Sequence, residues 1–410
     1  MKNTIRKAFK FRLNPKPDQA QKMVGFAGAN RFVWNKALAM NLFRLENKQS
    51  ILWYHEMAFW LTLWKQSDEY GFLKTAHSQT LQQTLKNLER AFKDGFDKTQ
   101  PLKRIPVFKR KGLGDSFRYP QGFKLEQDTN RVFLPKIGWV KYRNSRQVIG
   151  ELKNVTVSRK GKHWYVSIQT EYEADIQRHQ STSIVGIDLG VKRFVTLSDG
   201  NCIEPLNSFK QWEKKLALAQ RKLARKAKFS ANWKKQKQKI TRAHERIASA
   251  RLDFLHKSST VICKNHAMVV VEDLKVKTMS KSAKGDITRP GRNVKAKSGL
   301  NKAILDQGWG MFMQMLEYKQ AWLGGDVLKV NPKHTSQTCP CCAHVAKENR
   351  LTQSKFECVE CGYTENADVV GALSVLARGH RGLACGVESL DLMMKQEPAG
   401  RRESHPLLTA

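Results

Sequence analysis

Five of the eight cysteines fall between positions 339 and 361, and four of these form two C-x2-C pairs. Cys339 pairs with Cys342 and Cys358 with Cys361, with fifteen residues between the pairs. Two such pairs offer four thiolates to one Zn2+ in a closed tetrahedron, the zinc-ribbon pattern. A closed site leaves no position for substrate, so its role is structural. Cys341 falls outside the pattern, because using it in place of Cys342 would require a strained C-x-C loop. Clustered cysteines in a 410-residue chain point to a reducing cytoplasm rather than a disulfide scaffold. The lone Cys202, Cys263 and Cys385 read as packing residues.

Carboxylates form the second set. Asp188 closes the apolar run Ile184-Val185-Gly186-Ile187 and is followed by Leu189-Gly190. A carboxylate at the end of a buried strand needs compensation, which a metal ion supplies. The competing reading is an Asp that caps the next turn. RNase H-like nucleases and actin-like sugar kinases share this local motif. Glu272 follows the apolar strand Met268-Val269-Val270-Val271, with Asp273 as its rival. Adjacent residues face opposite sides of a strand, so only one of the two can share a metal with Asp188, and spacing does not choose between them. Asp368 lies in the first turn of an apolar helix, where it would also suit the helix dipole. If they converge, three carboxylates hold two Mg2+ ions, hard cations that keep water and substrate phosphate as further ligands. Such a pair serves phosphodiester hydrolysis by activating water and stabilising the leaving oxygen.

The elements that must position these groups follow from periodicity. Phe9, Phe11 and Leu13 alternate with Lys10 and Arg12, which predicts a half-buried strand over 6–13. Asn14-Pro15-Lys16-Pro17 stops it, and Asp18 is placed to cap the next helix. Helical periodicity covers 19–47, 54–66 and 78–96, and short strands follow at 132–135, 138–142, 154–157 and 164–170. One strand before and several after a helical stretch predict a β-barrel, 1–16 with 100–180, interrupted by helices over 17–99. A second region, 181–334 with 364–378, carries strands near 184–188, 194–197, 268–271 and 327–330, and is interrupted by the ribbon at 335–363. Lysine-rich helices cover 208–261, and 275–300 reads as a mobile loop. From Gly379, residues 379–410 lack periodicity and predict a disordered tail. The expected fold class is α+β multidomain.

Charge narrows the partner. Lys and Arg number 73 against 36 Asp and Glu, a net charge of +37, which calls for a polyanion. Nucleic acid is the expected partner, by phosphate contacts and counterion release; a ribosome-like basic protein is the plainer alternative. No apolar run is long enough to span a bilayer, and the N-terminus lacks the apolar core of a signal peptide. Within 210–251, Trp212, Leu216, Leu218 and Trp233 sit among dense Lys and Arg. That pattern fits an ordinary amphipathic pair or a groove wall that tracks phosphates.

Several motifs in one order resemble the TnpB family of transposon-encoded, RNA-guided DNA endonucleases, compact relatives of type V CRISPR effectors. They are Val185-Gly186-Ile187-Asp188-Leu189-Gly190, Arg251-Leu252-Asp253-Phe254-Leu255-His256-Lys257, Val271-Glu272-Asp273-Leu274, Gly308-Trp309-Gly310, Thr335-Ser336-Gln337-Thr338-Cys339 with its paired cysteines, and Asn366-Ala367-Asp368. The resemblance covers nearly the whole chain except the tail. It implies that Glu272 rather than Asp273 joins Asp188 and Asp368 in a RuvC-type site with two Mg2+, and that one Zn2+ fills the ribbon. It further implies a wedge-like barrel, a helical recognition lobe, and a guide RNA from the element's own end. Double-stranded target DNA would be matched by base pairing beside a short duplex motif. Tyr54, Ser78, Gln79, Gln82 and Tyr119 match positions facing that motif. The implied setting is the bacterial cytoplasm or nucleoid, with a monomer favoured. Two departures stand out: Ala343 where the family often has Gly, and Val370 and Ser374 where it commonly has Asn. An RNA-guided regulator or transposition accessory without useful cleavage is the alternative, and the ribbon and charge weigh against a sugar kinase.

Overall fold

The computed structural model describes residues 2–384 apart from Pro101, Ile176 and Ile287, and divides into two compact units, Met1–Asp175 and Ile176–Ala410. In the first, β1 (Lys2–Asn14) leads into α1 (Pro17–Glu46), α2 (Tyr54–Gln66) and α3 (Ser78–Phe96). Six strands follow: β2 (Ser116–Tyr119), β3 (Lys124–Glu126), β4 (Arg131–Leu134), β5 (Gly138–Tyr142), β6 (Glu151–Lys160) and β7 (His163–Asp175). They pair in the order β2-β6-β7-β1-β5-β4-β3, with antiparallel ladders throughout.

The long β1 joins the two halves of this sheet. Its residues 2–12 pair with β7, then Leu13 and Asn14 pair with Tyr142 and Lys141 of β5. The expected insertion is therefore present, since the first strand pairs with strands that follow three helices. A β2–β3 ladder that would close the sheet into a barrel is not among the pairings of the described residues. The helices do not hold a core of their own. Met23, Phe26, Leu81, Leu85, Leu88 and Phe92 join Phe9, Phe11, Phe117, Val155 and Val166 in one apolar cluster. Asp18 falls inside the first turn of α1, and the Gln19 side chain instead accepts the Lys16 amide at 3.0 Å.

The second unit is built on a mixed sheet. Its strands are β8 (Ile184–Asp188), β9 (Val195–Leu197), β10 (Cys202–Ile203), β11 (Met268–Glu272) and β12 (Asp326–Val330), in the order β10-β9-β8-β11-β12. β8, β11 and β12 run parallel, which requires crossover connections. The first crossover contains a helical hairpin, α4 (Ser208–Ala224) and α5 (Ala231–Asn265). The second contains α6 (Val276–Met279), α7 (Val294–Gln307) and α8 (Trp309–Leu323). A two-stranded ribbon, β13 (Lys355–Glu357) and β14 (Thr364–Asn366), precedes α9 (Ala367–Ala384).

Two sequence expectations are corrected. The stretch 275–300 is not loop throughout, since α6 lies in it and α7 begins at Val294. α7 buries Ile304 beside the polar Asp306 and Gln307, so its apolar stripe is too thin to register as a helical period. The expected tail does not begin at Gly379, because α9 runs on to Ala384. Gly379 looked like a helix stop but is a packing residue: a Cβ there would lie 2.7 Å from a Val270 methyl. The rest of that expected tail, 385–410, lies outside the described residues.

Side-chain parity in this sheet sets up the site. Val185, Ile187, Leu189, Val269 and Val271 share a core with Leu255, Phe312 and Leu316 of α5 and α8. Met268 and Val270 face the other way, with Val375, Leu376 and Leu383 of α9. Gly186 belongs to that second face, and a Cβ added to it would overlap the Ala372 carbonyl of α9 and lie 2.8 Å from Leu376 Cβ. We expect Gly186→Ala to push α9 off the sheet at a cost of about 1–3 kcal/mol. Chemical denaturation, with the midpoint shifted down, is the check.

Candidate active site and metal centre

The same parity places Asp188 and Glu272 on the α9 face. Ile187 is in register with Val271 on the adjacent parallel strand, so the two acids follow at neighbouring strand ends. Asp273 faces away and pairs with Lys275, which holds its carboxyl below the ordinary range. Asp368 enters from above in the first turn of α9. One turn further along, Gly371 makes room for Asp188, whose carboxyl lies 3.2 Å from where a Cβ would be. The structure thus gathers Asp188, Glu272 and Asp368 on one side of one sheet.

Electrostatics record that proximity. Burial raises the Asp188 carboxyl to about 7, with repulsion from Glu272 and Asp368 adding to it and Arg350 opposing. Burial also raises Glu272, against a hydrogen bond donated by the Thr335 hydroxyl and the charge of Arg378. Arg350 donates to Asp368 Oδ1 at 3.4 Å, and Arg378 donates to the Asn331 carbonyl at 2.6 Å. Acids held together at this energetic cost are a fitting donor set for hard divalent cations. The carboxylates do not form as tight a group as the cysteines, the one group of three or more metal-binding residues among the described residues whose ligand atoms all lie within 4.8 Å. A two-ion site spreads its ligands around ions about 3.5–4 Å apart, so it does not require that compactness.

Sequence reading missed three partners of these acids. Thr335 lies inside the Thr335–Cys339 motif, which assigns it no role, while Arg350 and Arg378 carry no local signal, since their value lies in what they face after folding.

The cysteine site is compact. Cys339 and Cys361 sulfurs are 3.7 Å apart, and those of Cys342 and Cys358 are 3.5 Å apart. Four sulfurs bound at 2.3 Å around one tetrahedral Zn2+ would be about 3.8 Å apart, so the cluster fits the ion. Each knuckle is a tight turn: the Ala343 amide donates to the Cys339 carbonyl, and the Gly362 amide to that of Cys358, both at 3.0 Å. Both turn residues have positive φ, +61° for Ala343 and +71° for Gly362. The Ala343 departure therefore has a physical cost, because a Cβ disfavours the left-handed region. We expect Ala343→Gly to stabilise the ribbon by about 1 kcal/mol. Competition with a chromophoric zinc chelator would show this as tighter retention.

The ribbon is continuous with α9. Cys339, Cys358 and Phe356 form one small core with Ala367 and Val370 of α9, and the Ser374 hydroxyl donates to the Thr338 carbonyl at 3.2 Å. Val370 and Ser374, where the family that this chain resembles commonly has Asn, thus serve as packing and tether.

In the first unit, Ser78 and Gln82 are exposed on α3, while Gln79 and Tyr54 are partly buried. Lys65 donates to the Ser78 hydroxyl at 3.1 Å, and Lys86 lies over the Tyr54 ring at 4.9 Å from its centroid. Tyr119 is different. It has no exposed surface, and its hydroxyl donates to the Pro135 carbonyl at 3.0 Å, so it supports the core instead of presenting an edge to a duplex.

The chain resembles known proteins over most of its length. The family model OrfB_IS605, described as "Probable transposase", matches 167–283, and the "Cas12f1-like, TNB domain" model matches 309–375. The chain is 56% identical over 95% of its length, and 97% of the relative's, to "Putative RNA-guided DNA endonuclease InsQ" of Escherichia coli (strain K12). The chain belongs to the TnpB family. A second TnpB relative, "Putative RNA-guided DNA endonuclease" of Streptomyces pristinaespiralis, is 33% identical over 94% of this chain and 92% of its own. A "Helix-turn-helix domain" model matches 1–49, which in this TnpB chain folds as the strand β1 followed by the single helix α1. Among solved structures, a cryo-EM structure of a Cas12f1–sgRNA–target DNA complex aligns with a TM-score of 0.51 at 13% identity, covering 91% of this chain and 98% of that one. At that identity the likeness is one of fold.

Proposed function

We propose that this TnpB protein is an RNA-guided DNA endonuclease of a transposable element, hydrolysing phosphodiester bonds at a target that base pairing with a guide RNA selects. The observation that carries the reading is the half-buried Asp188, with its raised carboxyl, and Glu272 and Asp368 brought to the same face of one sheet. In this reading Asp188, Glu272 and Asp368 hold two Mg2+ ions, which supply an activated water and neutralise the departing oxygen when bound. Thr335 fixes the rotamer of Glu272 through its hydrogen bond, and Arg350 holds Asp368 on the ribbon side. The zinc ribbon positions α9 and hence Asp368.

The net charge of +37 suits a protein that grips both a guide RNA and its double-stranded target. We assign 1–16 and 100–180 to a wedge-like body, 17–99 to duplex recognition, 181–334 with 364–378 to the nuclease, and 335–363 to the ribbon. Ser78, Gln79 and Gln82, with Tyr54 beneath Lys86, form the surface we assign to reading the duplex motif, since amide side chains suit base edges. Among the described residues no helix is long and apolar enough to cross a membrane.

Two measurements test the reading together. RNA that co-purifies with the protein is sequenced, and plasmids bearing the matching target are challenged with the complex in Mg2+. A defined RNA and target-dependent cutting support it. A defined RNA with target binding but no nicking favours the regulator, and absence of bound RNA rejects the guided class.

A further inference from the structure

The tip of the α4–α5 hairpin combines two unusual features. Phe229 is 65% exposed and holds a φ of +70°, a conformation disfavoured for a bulky side chain. Its ring lies 5.5 Å from that of Trp233, and the Trp233 amide is held by the Ser230 hydroxyl at 3.1 Å. The arm behind it is firm, because Gln236 is buried and donates to the Ala219 carbonyl across the hairpin at 2.9 Å. Strain that the surroundings maintain at an exposed aromatic residue is evidence that the ring's position serves something outside the fold.

Charge indicates what. Between Glu213 and Glu245 the chain carries twelve Lys and Arg and no acid. Lys228 lies 5.5 Å from the Phe229 ring centroid and Lys237 4.9 Å from that of Trp233. A helical arm with cations along its length and an aromatic pair at its end matches the way unpaired nucleotides are held, by phosphate contacts and by stacking on aromatic faces. Duplexes hide the faces of their bases, whereas folded RNA leaves loop and bulge bases free to stack.

We infer that Phe229, backed by Trp233, is a stacking site for an unpaired base of the bound RNA. This rests on the RNA-guided reading above for the identity of the partner. The ring of Phe229 takes the base, Trp233 braces it, and Lys226, Lys228 and Lys234 meet the flanking phosphates.

The test measures binding of the full chain to a single-stranded RNA 12-mer, a DNA 12-mer of the same sequence and a 12-base-pair RNA duplex, together with thermal melting. Phe229→Ala is expected to weaken the single-stranded RNA roughly 5- to 100-fold, the loss that removing one base–aromatic stack brings. Duplex affinity and its salt dependence stay unchanged, because the phosphate contacts remain. Phe229→Gly should bind the RNA as weakly as Phe229→Ala yet melt at a higher temperature, since glycine tolerates the positive φ. Equal losses for single strand and duplex, or no loss in either variant, overturn the stacking site. A loss confined to DNA overturns the RNA assignment. If binding simply tracks melting temperature across the two variants, Phe229 is structural and the inference fails. Failure of the unaltered chain to bind any RNA would instead reject the RNA-guided reading.

Discussion

Asp188→Ala lowers target cleavage by about a thousandfold or more and leaves guide-dependent DNA binding within about twofold. The magnitude follows from the several kcal/mol that metal-assisted charge stabilisation contributes, each 1.36 kcal/mol being a factor of ten. Binding persists because Asp188 faces α9 inside the sheet and is not part of a basic surface. Single-turnover cleavage and a gel-shift assay on the same preparation separate the two effects, and cutting at the parental rate would remove Asp188 from the machinery. The Asn variant adds a second readout. It removes a charge that Glu272 and Asp368 repel, so in chelator it should melt above the parent while losing the Mg2+-dependent rise in melting temperature.

The raised carboxyl of Asp188 sets the pH window. Its folded value is about 7, against 3.8 in the unfolded chain, so the metal-free fold keeps a proton that the unfolded chain has released. The contribution of Asp188 to the stability of the metal-free protein therefore falls as pH rises from about 4 to about 7. In the proposed site Mg2+ requires the deprotonated form, so the melting-temperature gain from Mg2+ is expected to be greatest above pH 7 and to shrink below it. Differential scanning fluorimetry across pH 5–8 with Mg2+ or chelator is the check; a gain independent of pH would place the ion elsewhere.

Cys358→Ser has the second large effect, on structure first and chemistry second. We expect zinc content to fall from one ion per chain to near zero, and the ribbon to lose on the order of 3 kcal/mol or more, since binding energy at such sites is folding energy. Cys358 packs with Phe356, Ala367 and Val370, so the loss reaches the base of α9 and displaces Asp368, and cleavage drops as well. Cys341→Ser is the control, because Cys341 stands outside the ligand quartet and its variant should keep the metal. Metal analysis by mass spectrometry and limited proteolysis at the ribbon read both outcomes, and full zinc retention in Cys358→Ser would refute the ligand assignment.

Much of the site was legible because its ligands sit in local patterns. Two C-x2-C pairs announce a tetrahedron wherever they fold, and an acid at the end of an apolar run announces a strand-end carboxylate. Helices with strong stripes were equally plain: the spacing of Leu81, Leu85, Leu88 and Phe92 fixes a buried face, and all four are fully buried. Weak periods misled. The polar α7 passed for a loop, and Gly379 passed for a terminator when its missing side chain in fact admits Val270. The resemblance implies that Tyr119 faces the duplex motif, yet it has no exposed surface, and matching a position carries no information about depth.

What the sequence determined by itself, then, was donor chemistry, charge and the order of the elements, since these depend on residue identity and short spacing. Only the tertiary structure decided which acids meet. The pairing of β8 with β11 and the descent of α9 onto Gly186 bring Asp188, Glu272 and Asp368 together, and the same packing adds Thr335, Arg350 and Arg378 to them. Those contacts join residues far apart in the chain, and their energy comes from burial and charge in the assembled core, which no local pattern encodes.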